Sequence, residues 1–224
     1  MRSLFLVITV AAAAVAASAS SFGSESSLSF SVTLRGTVQQ SADYKRQRPQ
    51  GECQYVYSGH WSNKLELHSA RPTRLVVTSR SGRLRFSPAV ISALTGTRTT
   101  RGAGVAEAPG CETVVSDCFQ RAESFRGGRA AIGSPRRTVL ALGPLHNRQL
   151  RRPCGTAEDV GGTKAGLELA IGRLTAEQLT GAGRRPVVVT ASYSESEDLE
   201  PPEVTSGTLT TRVSWKLTFS RVPQ

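Results

Sequence analysis

The chain holds only three histidines, four cysteines, one methionine and two tryptophans. These shortages exclude more than the abundant residues establish. His60, His68 and His146 are too scattered for a histidine-built metal centre. His60 and His68 share a strand parity, but eight residues of extended chain put them about 26 Å apart at 3.3 Å per residue. Cys53, Cys111, Cys118 and Cys154 contain no C-x2-C pair, so a zinc site lacks its close ligands. The G-x-S-x-G frame of a nucleophilic serine is absent. A hydrolytic triad could draw on His60, Asp117 and a serine that nothing singles out. Gly161-Gly162-Thr163-Lys164 misses the G-x4-G-K-[ST] frame and is a flexible loop on this reading. Glu195, Glu197, Asp198, Glu200 and Glu203 crowd together without the spacing of a calcium loop, and are expected to form a solvated loop. No catalytic residue, metal or cofactor is expected.

Nor does any apolar run reach the ~20 residues that a bilayer crossing needs. The longest, Leu4 to Val15, follows Met1-Arg2 and leads into Ala17-Ser18-Ala19, the pattern of a secretory signal peptide over residues 1–19. The expectation is a secreted or extracytoplasmic protein with no transmembrane segment after cleavage. Four cysteines in an exported chain then imply two disulfides. Cys111 and Cys118 enclose a short loop and are paired on that ground, leaving Cys53 with Cys154. Lysine is also scarce, confined to Lys45, Lys64, Lys164 and Lys216. The net charge of +11 is therefore mostly arginine. Arginine, alanine and glycine together point to a GC-rich genome. The cations are spread along the chain rather than blocked, so a solvated basic surface is expected and a nucleic-acid partner is not.

What the sequence does have is alternation. In Thr208 to Val222, Leu209, Thr211, Val213, Trp215, Leu217 and Phe219 fall on every second position, giving a strand with one dry face. Leu28, Phe30, Val32, Leu34 and Val38 mirror it after a flexible serine-rich lead over 20–27. Residues 41–52 are expected to be a polar loop. In Cys53 to Ser69, Tyr55, Tyr57, Trp61, Leu65 and Leu67 share one parity, with Gly59 expected at a bulge or bend. Both tryptophans and these tyrosines thus belong to the core rather than to a sugar-binding platform. Residues 73–87 form a hairpin on this reading. Ala89 to Leu94 fits either a strand or a helical turn, and Gly96 to Gly110 an exposed loop. Cys118 to Phe125, Thr138 to Leu142, Leu167 to Ile171 and Val187 to Ala191 are further strands, the first broken at Gly127-Gly128. Leu145 to Thr163 is a long loop. Thr175 with Gln178 forms a capping box for a short helix. About eight or nine strands with one short helix predict an all-β chain: a single antiparallel two-sheet sandwich over residues 28–224, of immunoglobulin-like architecture with long loops.

Several of these segments carry a resemblance. They are the signal segment, Phe30-Ser31-Val32-Thr33-Leu34-Arg35-Gly36-Thr37, Cys53 followed by Gly59, Cys111 with Asp117-Cys118, and Arg212-Val213-Ser214-Trp215-Lys216-Leu217-Thr218-Phe219. In these the chain resembles a group of secreted β-rich proteins of high-GC actinobacteria that has no defined function. The resemblance spans most of the mature chain and implies export and a β-rich fold, not an activity. The expected function is non-enzymatic binding or structure at the cell envelope or outside the cell, with an anionic envelope polymer or another protein as partner. The alternatives are a loop-built hydrolase acting on envelope material and a protein-binding module such as a protease inhibitor, which would present a rigid exposed loop at Cys111 to Cys118.

Overall fold

The two alternating ends of the chain meet. The computed structural model describes residues 26–80, 83–87, 89–136, 139–145, 166–199 and 205–223. Strand β1 (Ser26–Gln50) pairs antiparallel with β10 (Ser206–Arg221), setting Val32 opposite Phe219, Leu34 opposite Leu217 and Val38 opposite Val213. All six side chains are buried, and burial contributes roughly 1.5–3 kcal/mol for each large one. Phe30 and Phe219 meet edge to face with centroids 6.2 Å apart.

The other edge of β1 carries two partners in succession. β2 (Cys53–Ser69) pairs along Arg35–Gln50, and β3 (Thr73–Arg80) takes over along Ser26–Val32. β4 (Arg83–Phe86) closes the expected hairpin with β3. β5 (Ala89–Glu107) pairs with β2, β6 (Val114–Arg136) with β5, β7 (Val139–Leu142) with β6, β8 (Ile171–Arg173) with β7, and β9 (Val187–Asp198) with β10. The result is one ten-stranded sheet, antiparallel throughout, with a single short helix α1 (Ala176–Gly181). Thr175 and Gln178 cap that helix reciprocally, as their spacing predicts. The class is all-β, antiparallel and sandwich-like, as the alternation implies. The sheet folds over its own core without closing into a barrel. Trp215 locks the overlap: its Nε1–H donates to Ala170 O at 3.0 Å. A Cβ on Gly172 of β8 would stand 2.7 Å from both Trp215 Cη2 and Val189 Cγ1.

Five local expectations are corrected. Residues 41–50 are the far half of β1 rather than a loop, and 96–107 belong to β5. Both segments are polar or glycine-rich on both faces, so their strand character comes from ladders on neighbouring strands rather than from side-chain alternation. β6 likewise runs through Gly127, which takes φ 77°. Leu167–Leu169 is a 3-10 turn before β8. Gly59 marks no bulge, since the β1–β2 and β2–β5 registers pass through it unbroken. It is glycine because the Tyr44 ring lies across it, and a Cβ there would meet Tyr44 Cζ at 2.8 Å. Register shifts fall instead in β5, between Ile91 and Arg98, and in the β6–β7 ladder between Gly133 and Arg136.

The disulfide expectation is also overturned. Cys53 bonds to Cys111, stapling the end of the β2–β5 ladder. Cys118 lies within β6, where it pairs with Gly102. From Val114, where β6 begins, to Cys118 is about 13 Å of extended chain, which carries Cys118 out of reach of Cys111. Cys118 is itself disulfide-bonded; Cys154 lies outside the described residues, as do the signal segment, His146, and the glycine run at 161–164.

The inner face is divided. A large apolar cluster spans Phe30 to Phe219, and a small one holds Ala42, Trp61 and Leu209. Between them Thr211, Gln40, Asn63 and Thr100 stand in one row across β10, β1, β2 and β5. Gln40, Asn63 and Thr100 are buried, with Thr100 Oγ1 donating to Asn63 Oδ1 at 3.2 Å. Gln40 Oε1 and Trp61 Nε1 are buried without a partner among the described residues. Beside this belt, burial lowers the pKa of the Arg98 guanidinium.

Because Gly172 sits under Trp215 and Val189, Gly172→Ala is expected to destabilise the protein by about 1–3 kcal/mol. Urea unfolding should show a lower midpoint at unchanged slope.

Candidate functional site

The outer face of the sheet is built from the residues between the buried ones: odd numbers on β1, even on β2, odd on β5 beyond Leu94, even on β9 and β10. The registers align them in rows perpendicular to the strands. One row reads Thr190, Lys216, Arg35, His68, Thr95. The next reads Ser192, Ser214, Thr37, Glu66, Thr97. All of these but Thr95, together with Ile171 and Arg173 of β8, line a groove of about 1310 Å³.

Its chemistry is one-sided. Arg35, Arg173, Lys216 and His68 supply nitrogen donors, and Thr37, Thr97, Thr190, Ser192 and Ser214 supply hydroxyls. The one carboxylate in the lining, Glu66, is paired with Lys64. Arg35 stands directly opposite Lys216 across the β1–β10 ladder, and like charges in that position oppose strand pairing. His68 is opposite Arg35 on the other side. Three donors therefore follow one another at the ~4.8 Å strand spacing. Folding gains nothing from this row; a bound anion would.

A second groove, about 610 Å³, lies toward the other end of the same face. Its floor is the backbone of Gly207, Gly59 and Gly104, which flank Tyr44 in one row. His60 Nδ1 hydrogen-bonds Asp43 Oδ1 at 2.8 Å. The carboxylate partner of His60 is thus Asp43 rather than Asp117, which lies beyond Ala103 on β6. The two side chains are 54% and 80% exposed, so the pair is open to water. No described hydroxyl bonds His60 Nε2, although Ser58 lines the same groove.

The remaining candidates fall as follows. His60 and His68 lie in different grooves, as their separation requires. Trp61 and Trp215 are buried, as is Tyr55, while Tyr57 is half-buried. Among the described residues the exposed aromatic is Phe119, with the Arg101 guanidinium 5.2 Å from its ring centre. Sequence reading missed the pair because β5 is not visible as a strand there. Glu195, Glu197 and Asp198 are the exposed end of β9, not a loop. Cys111 to Cys118 is a turn feeding β6, not a disulfide-closed loop. No cluster of three metal-ligating side chains occurs, and no helix is long and apolar enough to cross a membrane, among the described residues.

Compared with known proteins, the chain matches no family model, none of the curated proteins and none of the solved structures.

Because the Arg35–Lys216 contact opposes pairing, Lys216→Gln is expected to raise stability by ~0.2–1 kcal/mol. The gain, read as a higher urea midpoint, should shrink at high salt as screening removes the repulsion it relieves.

Proposed function

We propose that the protein is an exported, non-enzymatic binding protein of the cell envelope whose ligand is an anionic polymer laid across the outer face. The observation that supports this is the row Lys216–Arg35–His68, in which the fold sets two cations and an imidazole side by side in a groove without an unpaired acid. Arg35 offers a planar fork suited to phosphate or carboxylate, and Lys216 offers a compact point charge. The hydroxyls of Thr37, Thr190, Ser192 and Ser214 flank them as neutral donors for the ligand's remaining oxygens. The signal-like N-terminus and the disulfides fit an oxidising, extracytoplasmic location.

A weaker second reading is hydrolysis of envelope material, and the observation that favours it is the His60–Asp43 pair. With both side chains mostly solvated, the pair lacks the water-excluded surroundings that strengthen electrostatic catalysis.

Thermal melting with and without poly(glycerol phosphate) tests the leading reading, with a neutral glucan as control. The polyanion should raise the melting temperature at low salt. A hundredfold excess over Kd corresponds to ~2.7 kcal/mol. High salt and the Arg35→Gln/Lys216→Gln variant should each abolish the shift. An unchanged melting temperature for the wild type at both salt levels would remove the polymer from the proposal. Turnover of a generic ester that is lost in His60→Ala would instead favour the hydrolase.

A further inference from the structure

The basic character of the outer face continues past the groove. Two residues along the strands from Lys216, Arg35 and His68 comes the row of Ser214, Thr37 and Glu66. The next row holds Arg212, Gln39 and Lys64, and the one after it Thr210, Ser41, Ser62, Arg101 and Phe119. Arg35, Lys216, Arg212, Lys64 and Arg101 are all exposed. Glu66 is bonded to Lys64, so the acid that stands among them is compensated. Arg212 has no acidic partner among the described residues. Arg101 rests its guanidinium against the Phe119 ring, a contact through the face of the group that leaves its edge N–H donors for a ligand. The fifth row changes sign. It holds Thr208, Asp43, His60, Ala103 and Asp117, and both carboxylates are exposed.

Spacing selects the direction in which a polymer fits these rows. Neighbouring strands stand ~4.8 Å apart, whereas successive rows on one face, two residues on, are ~6.7 Å apart. A poly(glycerol phosphate) backbone has six bonds per repeat, as many as two residues of peptide, and therefore extends by about 6.6–7.2 Å. Laid perpendicular to the strands, its phosphates fall out of step with Lys216, Arg35 and His68. Laid along the strands, they keep step with the rows.

We infer that the polymer runs along the strands, over β1 and β2, with one phosphate to a row for four rows, about 20 Å from first to last. The first phosphate takes Arg35 and Lys216, and the second the hydroxyls of Thr37 and Ser214. The third takes Arg212, which flanks β1 from β10, and the fourth lies in the row of Ser41, Ser62 and Arg101, which flanks β2 from β5. Asp43 and Asp117 end the track by repulsion. This rests on the polymer reading and adds to it a direction, a footprint and a repeat.

Calorimetric titration with oligo(glycerol phosphates) of two and of four phosphates, at low salt, tests the inference. The wild type should bind the longer oligomer roughly tenfold more tightly, as two further exposed charge contacts allow. In Arg101→Gln/Arg212→Gln that gain should vanish. The salt slope for the longer oligomer should fall by about 1.4, or ~0.7 for each lost contact to a flexible strand. Arg173→Gln, which removes a groove cation on the β8 side, should weaken both lengths alike and keep the gain. All substituted positions are exposed, and thermal melts establish that the variants fold. A gain that survives in Arg101→Gln/Arg212→Gln, or one lost in Arg173→Gln, would overturn the direction while leaving the polymer reading in place. So would equal affinity of the wild type for the two lengths. A wild type that binds neither oligomer would overturn both.

Discussion

Strand β1 has both of its edges filled, and that constraint shapes everything around it. One edge is taken by β10 and the other by β2 and then β3. A strand so placed has no freedom of register. A slip by one residue would send Phe30, Val32, Leu34 and Val38 to the solvent and bring Ser31, Thr33 and Arg35 into the core. The cost would be the burial of a whole face of the large cluster. The outer rows inherit this rigidity. Arg35 is held opposite Lys216 because Leu34 is held opposite Leu217.

The strand character of the chain's ends was legible because burial writes itself into side-chain parity. Trp215, Leu217 and Phe219 alternate with Ser214, Lys216 and Thr218, and the structure buries the first set alone. The helix was legible for another local reason, the reciprocal bonds of Thr175 and Gln178. The far halves of β1 and β5 were not legible. Beyond the large apolar cluster the sheet continues with Gln40, Asn63 and Thr100 on its inner face, so alternation of hydrophobicity fades while the ladder persists. Gly102 and Gly104 similarly resemble loop punctuation in sequence but mark, in the fold, flat places on the sheet next to Trp61 and Gly59. The groove was hidden for a related reason. Its donors come from β1, β2, β8 and β10, positions too distant in the chain to look like a patch, and a scattering of cations in one dimension became a row in two.

The disulfide shows the same limit. Proximity in sequence favoured Cys111 with Cys118, but an intervening turn followed by extended chain separates residues faster than a coil would. Cys53 and Cys111 are far apart in sequence yet end the same ladder, and their Cα atoms are 6.3 Å apart. In an antiparallel sheet the ladder, not the interval along the chain, decides which thiols meet.

A sheet that extends past its core must still justify the extension energetically. The polar belt at Gln40, Asn63 and Thr100 replaces what could have been continuous apolar packing, and two buried atoms, Gln40 Oε1 and Trp61 Nε1, go without partners among the described residues. Such groups cost roughly 1–3 kcal/mol each. The long strands do gain ladder hydrogen bonds, but those are worth only about 1 kcal/mol net apiece, so stability alone is a weak reason for the length. Length does accomplish something else. It sets Glu195, Glu197 and Asp198 at the end of β9 about 17–26 Å of extended chain from the Thr190–Lys216 row of the groove, on a scaffold too stiff to let them collapse onto one another. In a shorter sheet opposite charges would neutralise within the molecule. Keeping them apart leaves the cations of the groove available for a ligand, and it does so through backbone pairing, whose strength does not fall with salt as the charges' own attraction does.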